Sequence, residues 1–208
     1  MRITLVRHGE TTGESSIRYY GATDVPLSPL GEAQMRRAGA ALANERFHGV
    51  VSSRLQRARH GARLVAHREP RTLASFDEVH FGRWEGWTRD EIMARDPQNF
   101  RSWQHEPETF VYPGGECRQA FRRRVSAGLA EVLADPPGRN LLLVVHRGVI
   151  AVILAELLEL APPSRRQLEI DLGSIHIVAR GSAAWEAEVL NRIDHLEDTG
   201  TAPGGARS

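Results

Sequence analysis

The run Leu141-Leu142-Leu143-Val144-Val145 constrains this chain more than any other segment. Five consecutive apolar residues leave a strand no face to turn to water, so it must be covered on both sides. That is the environment of a parallel sheet between two helical layers. His146-Arg147-Gly148 follows the run directly. A second short strand, Arg2 to Val6, is rich in apolar and β-branched residues and leads into Arg7-His8-Gly9. In open α/β sheets, functional residues gather beyond the carboxyl ends of the strands. Two such ends here each carry a histidine and an arginine.

The segments between them read as alternating helices and strands. Ser28-Pro29 is a helix start, with Ser at the N-cap and Pro at the first position. Leu30, Ala33, Ala38, Ala41 and Leu42 then share a helical face. Gly49 to Ser52 is expected as a strand, Leu55 to Ala66 as a helix and Arg71 to Phe76 as a third strand. Phe81 to Arg95 reads as a loop entering a helix, and Pro97 to Val111 as helical in part. Pro113-Gly114-Gly115 is a turn before a long helix, Glu116 to Leu133, which Pro136-Pro137-Gly138 ends. Ile150 to Leu160 is expected as a helix, with late strands at Ile170 to Val178 and Trp185 to Leu190. The expectation is an α/β domain of three α/β/α layers around a mostly parallel sheet, a single unit over residues 1–196. Residues 197–208, polar and glycine-rich, are expected to be a disordered tail.

Composition narrows the function classes. Lys+Arg is 27 against Asp+Glu of 26, so nothing asks for a nucleic-acid partner. All the basic residues are arginine, so an arginine cluster such as Arg122-Arg123-Arg124 reads first as a solvated helix face. The one cysteine, Cys117, permits no intrachain disulfide and no cysteine-built zinc site. The first residues hold no long apolar stretch, which argues against a signal peptide. Val149 to Leu158 is too short to span a membrane. The expectation is a cytoplasmic protein with no membrane partner. A homodimer is compatible with the sequence, but no interface signal marks one.

Phosphoryl transfer needs several cationic donors, an in-line nucleophile and a proton for the leaving oxygen. Arginine binds two phosphate oxygens with its planar fork. A neutral imidazole can accept the phosphoryl group, splitting one step into two. A carboxylic acid can protonate the leaving alkoxide. The sequence holds a candidate for each part, without calling for a metal or other cofactor.

Leu5-Val6-Arg7-His8-Gly9-Glu10-Thr11 resembles the signature of the histidine phosphatase superfamily, which includes the phosphoglycerate mutases. Further motifs follow in the family's order: Tyr19 to Ser28, Ser52 to Ala58, Phe81 to Gly86, Pro113 to Glu116 and Val144 to Ile150. The resemblance covers about residues 1 to 180. It implies that His8 is the nucleophile and that Arg7, Arg57 and His146 hold the phosphate. It implies that Glu78 donates the proton, with neighbouring Asp77 as a rival. It also points to Thr11, Tyr20, Gly21 and Arg147 as substrate contacts. His80 stands beside the acid, where relatives often carry Asp or Asn. Trp84 and Trp87 are candidates for a substrate wall or for the core.

Four positions depart from the family's pattern. Glu14 replaces a common Asn phosphate ligand, so it must turn away or be neutralised by an arginine. Tyr20 replaces Gln, Gly61 replaces Thr, and Arg147 replaces the Gly after the second histidine. The short stretch between Arg95 and Pro113 resembles the small phosphatases more than the mutases. The implied function is metal-independent hydrolysis of a small phosphorylated metabolite through a phosphohistidine. A mutase, or a non-catalytic phosphate-binding or scaffold member, is the alternative. Among phosphatase groups, similarity extends to alpha-ribazole phosphatase, to fructose-2,6-bisphosphatase-like enzymes and to broad-specificity phosphatases.

Overall fold

A computed structural model describes residues 1–105, 108–161 and 167–199. Six strands form one sheet: β1 (Arg2–Arg7), β2 (Gly49–Ser52), β3 (Arg71–Thr72), β4 (Asn140–Val145), β5 (Ile175–Arg180) and β6 (Trp185–Arg192). Their order is β3-β2-β4-β1-β5-β6. The first four strands in that order run parallel, β5 runs antiparallel to β1, and β6 runs antiparallel to β5.

The apolar run in β4 behaves as its composition demands. Every residue from Leu141 to Val145 is fully buried between β2 and β1. Strand side chains alternate between faces, and β4 shows the consequence. Leu141, Leu143 and Val145 join one core with α5 (Arg118–Ala134) and α6 (Arg147–Leu157), whereas Leu142 and Val144 join another with α1 (Pro29–Ala41) and α2 (Gln56–Ala66). Two helical layers thus enclose the sheet. The shorter α3 (Arg89–Arg95) and α4 (Pro97–His105) extend the first layer through Ile92 and Phe100.

Local chemistry sets the ends of several elements. Ser28 accepts a hydrogen bond from the N–H of Gly31 and caps α1, with Pro29 behind it. Thr88 and Glu91 form a reciprocal capping box at α3. Helix α6 begins directly at Arg147, earlier than the apolar periodicity suggested, so His146 is its N-cap residue.

Two expected strands are shorter than predicted. From Leu73 the chain leaves the sheet edge. It tightens into a 3-10 turn, Ala74–Phe76, that seats Phe76 in the core and brings Asp77 and Glu78 to the strand ends. The late strand starts at Ile175, not at Ile170, because the backbone of Ile170 to Ser174 is recruited by the first strand end. The carbonyl of Ile170 accepts from the Arg7 guanidinium, and the N–H of Gly173 meets the carbonyls of Arg7 and His8. The expected tail begins at Glu197, inside a last 3-10 turn, Asp194–Thr199. Its remainder, 200–208, lies outside the described residues.

Candidate active site

Strands β1 and β4 are paired in register, Arg7 opposite Val145, so His8 and His146 leave the sheet side by side. Their rings lie 5.1 Å apart, edge to face. Arg7 comes with β1. Arg57, in the first turn of α2, reaches in from the neighbouring strand end and is completely buried.

The His8 ring is oriented by one contact. Its Nδ1 lies 2.8 Å from the carbonyl oxygen of Gly9. A carbonyl only accepts, so Nδ1 carries the proton and Nε2 keeps its lone pair. Burial, then the charges of Arg57 and Arg7, hold the His8 pKa well below its ordinary value. Burial and the Arg57 charge do the same for His146. Both rings are therefore neutral at physiological pH. Arg7 is also perturbed, chiefly by burial and then by Arg147, down to about 10; it remains charged at neutral pH.

Arg57 is held by the backbone of an adjoining loop. Its guanidinium donates to the carbonyls of Thr23 at 2.9 Å, Tyr20 at 3.1 Å and Gly21 at 2.7 Å. Glu85 folds that loop: its carboxylate accepts from the N–H groups of Gly21, Ala22, Thr23 and Phe81. Only glycine fits at 21, where a Cβ would overlap the carbonyl oxygen of Val79.

Three buried donors in this group have no partner: Nε of Arg7, Nε of Arg57 and Nδ1 of His146. Buried polar atoms are seldom left unpaired. Three such atoms on residues grouped with a neutral imidazole make an arrangement that suits an anion with several acceptor oxygens.

Glu78 borders the group and is buried. Its two carboxylate oxygens accept from the N–H of Val79 and the N–H of Gly148, each at 2.9 Å. Asp77, the rival acid, is instead bound by the backbone N–H and guanidinium of Arg54. Beyond Glu78 opens a cavity of about 580 Å³. Glu78, Arg147, Gly148 and Ile170 belong to its wall, and the aromatic side chains of Tyr19, Phe81, Trp103, Tyr112 and Phe121 form much of the rest. This volume is ordinary for a small-molecule site.

The structure brings His8, Arg7, Arg57, His146, Glu78 and Arg147 to one region. The other expected contacts have groups already engaged or lie off the cavity wall. Thr11 is buried with its hydroxyl paired to Ser15. The ring of Tyr20 packs against Gly13 and Gly86, outside the cavity wall. Gly21 contributes through its carbonyl to Arg57, because its N–H is taken by Glu85. Glu14, at a positive φ of 63°, turns outward and pairs with Arg18. Trp84 is core, with its indole N–H on Asp96, and Trp87 lies under the Arg95 guanidinium.

One sequence reading needs correction. Of Arg122-Arg123-Arg124, only Arg123 is a solvated helix charge. Arg122 pairs with Glu108 at the cavity wall, and Arg124 is part-buried against the backbone that carries Glu78. Arginine abundance masked both. Ser53, which bonds His146, and Glu85 were also missed as contributors, although each lies inside a quoted motif. A polar residue buried beside a functional one has no periodicity to betray it. Among the described residues, no three His, Cys, Asp or Glu side chains group so as to hold a metal ion. No described helix is long and apolar enough to cross a membrane.

An α/β fold with paired histidines at neighbouring strand ends has known relatives. The model of the histidine phosphatase superfamily (branch 1) matches residues 3–193, so the chain belongs to that superfamily and is a phosphoric monoester hydrolase. It is 33% identical over 176 residues to the adenosylcobalamin/alpha-ribazole phosphatase of Salmonella typhimurium, covering 83% of this chain and 87% of that protein. The alpha-ribazole phosphatase from Shigella flexneri superposes with a TM-score of 0.83 at 30% identity, over 92% of this chain and 96% of its own. The mycobacterial glucosyl-3-phosphoglycerate phosphatase, solved with VO3, gives 0.81 at 30% identity, over 91% and 98%.

Proposed function

We propose that the protein hydrolyses a small phosphorylated metabolite in two steps, with His8 as the covalent carrier. Nε2 of His8 attacks phosphorus as the ester oxygen departs, and Glu78 gives that oxygen its proton. Arg7, Arg57 and His146 bind the non-bridging oxygens and stabilise the charge spread over them. Water then attacks the phosphohistidine, giving its proton to the Glu78 carboxylate. The P–N bond breaks, and inorganic phosphate and neutral His8 are restored.

The observation that carries this reading is the hydrogen bond from His8 Nδ1 to Gly9. It leaves a lone pair on Nε2 of a ring whose neighbours Arg7, Arg57 and His146 each hold a buried, unpartnered nitrogen. Glu14 does not oppose phosphate, because its charge is turned outward onto Arg18. Arg147 adds a cation to the wall the leaving group would meet.

The cavity beyond Glu78 suits a leaving group much larger than water, with aromatic walls to stack on and guanidinium groups for polar substituents. The names of the Salmonella and Shigella relatives make alpha-ribazole 5′-phosphate the first substrate to try.

The test is turnover of a phosphomonoester panel in EDTA, with His8→Ala as control. The panel holds 4-nitrophenyl phosphate, alpha-ribazole 5′-phosphate, 3-phosphoglycerate and fructose 2,6-bisphosphate. The expected result is rapid hydrolysis of one natural ester, trapping of a phosphoenzyme by rapid quench, and neither with His8→Ala. A fully active His8→Ala protein would overturn the nucleophile assignment.

A further inference from the structure

Arg124 makes contacts that a surface helix charge does not make. From α5 it donates to three successive backbone regions of one segment: the carbonyls of Ser75 at 3.0 Å, Asp77 at 2.6 Å and Glu78 at 3.0 Å. Its other donors meet the Glu116 carboxylate, Nε to Oε1 at 2.8 Å and Nη2 to Oε2 at 2.9 Å. The Phe121 ring lies under the guanidinium at 4.7 Å. Glu116 in turn donates its backbone N–H to the carbonyl of His80, two residues past Glu78. The segment 75–80 is therefore gripped on both sides of Glu78.

We infer that Arg124, braced by Glu116, is a positioning residue that fixes where the Glu78 carboxyl group stands relative to the leaving oxygen. This rests on the proposed role of Glu78 as proton donor. The side chain of Glu78 has one distal anchor, the N–H of Gly148 on α6, and its other contact is with its own neighbour Val79. Segment 75–78 is not a sheet strand, so no ladder sets its height. Arg124 supplies what the ladder does not. A planar guanidinium can hold several carbonyls and a carboxylate in one plane, and a lysine cannot. Proton transfer in the transition state is sensitive to sub-ångström placement of the acid.

The experiment compares Arg124→Gln, Arg124→Lys, Glu116→Gln, Glu78→Gln and the double variant Glu78→Gln/Arg124→Gln. Each is assayed on aryl phosphates of graded leaving-group acidity, from 4-nitrophenyl phosphate to phenyl phosphate, and on the alkyl ester that wild type hydrolyses fastest. If the inference holds, Arg124→Gln loses about 10-fold or more on the alkyl ester and less than about 3-fold on 4-nitrophenyl phosphate. Glu116→Gln follows the same pattern more weakly. Arg124→Lys does not restore wild-type rates. Adding Arg124→Gln to Glu78→Gln makes the dependence on leaving group no steeper. Equal losses on all esters, or further steepening in the double variant, overturn the positioning role. Should Arg124→Gln fail to fold, Glu116→Gln and Arg124→Lys carry the same comparison. A Glu78→Gln protein with no leaving-group dependence would instead overturn the proposed acid itself, so the two failures are told apart.

Discussion

The hydroxyl of Ser53 and Nε2 of His146 are 2.7 Å apart in the buried heart of the molecule. The Ser53 oxygen accepts from the N–H of Leu55, and Nε2 of His146 is an acceptor within reach of its hydrogen. With Ser53 donating, Nε2 of His146 is the acceptor and the proton sits on Nδ1, the atom left without a partner. Ser53 thus selects the tautomer in which the second histidine is a donor. Ser53→Ala is expected to lower kcat/KM by about 10-fold, the scale of one buried hydrogen bond. Imidazole 15N shifts of His146 should show mixed tautomers in the variant and Nδ1–H alone in wild type. A single, unchanged tautomer would refute the assignment.

Gly148 is the close-approach point between α6 and the proposed acid. A Cβ there would overlap Oε1 of Glu78 and press on the Phe121 ring. Alanine is otherwise the better helix residue, by about 1 kcal/mol. Gly148→Ala should therefore leave the melting temperature within a few degrees of wild type, yet cut turnover of alkyl esters at least about 10-fold. Kinetics beside calorimetry would check both halves. Wild-type rates would mean that the carboxylate stands elsewhere during catalysis.

Glu85 acts at one remove from the site. It gathers four backbone N–H groups, and the loop it folds offers its carbonyls to Arg57. Glu85→Ala should raise KM several-fold and destabilise the fold by about 1–3 kcal/mol, as expected for loss of charge-assisted bonds. Denaturant unfolding and steady-state kinetics would measure these together. Lost stability with unchanged KM would confine Glu85 to folding.

His176 gives the stability a definite acid dependence. It is buried, its Nδ1 accepts from the N–H of Asn191, and its Nε2 meets the hydroxyl of Ser174. Burial pulls its pKa from the ordinary 6.5 down to about 4. The unfolded chain therefore binds a proton below pH 6.5 that the folded chain refuses until about pH 4. Stability from this group is complete above pH 6.5 and falls by about 3 kcal/mol as pH drops to 4. His8 and His146, also held neutral, add to the same trend. His176→Asn should flatten the pH dependence of unfolding free energy across this window. An unchanged slope would show that His176 is not a source of it.

The parts of the fold that sequence made legible are those with a repeating physical signal. Leu141 to Val145 announced a strand covered on both faces, and Ser28-Pro29 announced the start of α1. Arg7, His8 and His146 were legible as strand-end residues, and Arg57 and Glu78 from motif resemblance. Other features depended on neighbours distant in sequence. Leu73 to Phe76 has strand-like composition, yet Phe76 is drawn into the core beneath α5. Ile170 to Ser174 reads as strand, yet its backbone is spent on Arg7 and His8. Arg124 is one of many arginines, and only its three-dimensional neighbours separate it from Arg123.

The pairing of β1 with β4 has a consequence for how such an enzyme can change. Adjacent strands in any sheet lie about 4.8 Å apart, and the two histidine rings, one residue past the ends of neighbouring strands, stand 5.1 Å apart. The ladder thus sets how far apart the backbones that carry the two histidines stand, in every sequence that keeps it. The cavity wall on α3 to α6 and its loops can be rewritten while the ladder keeps that spacing.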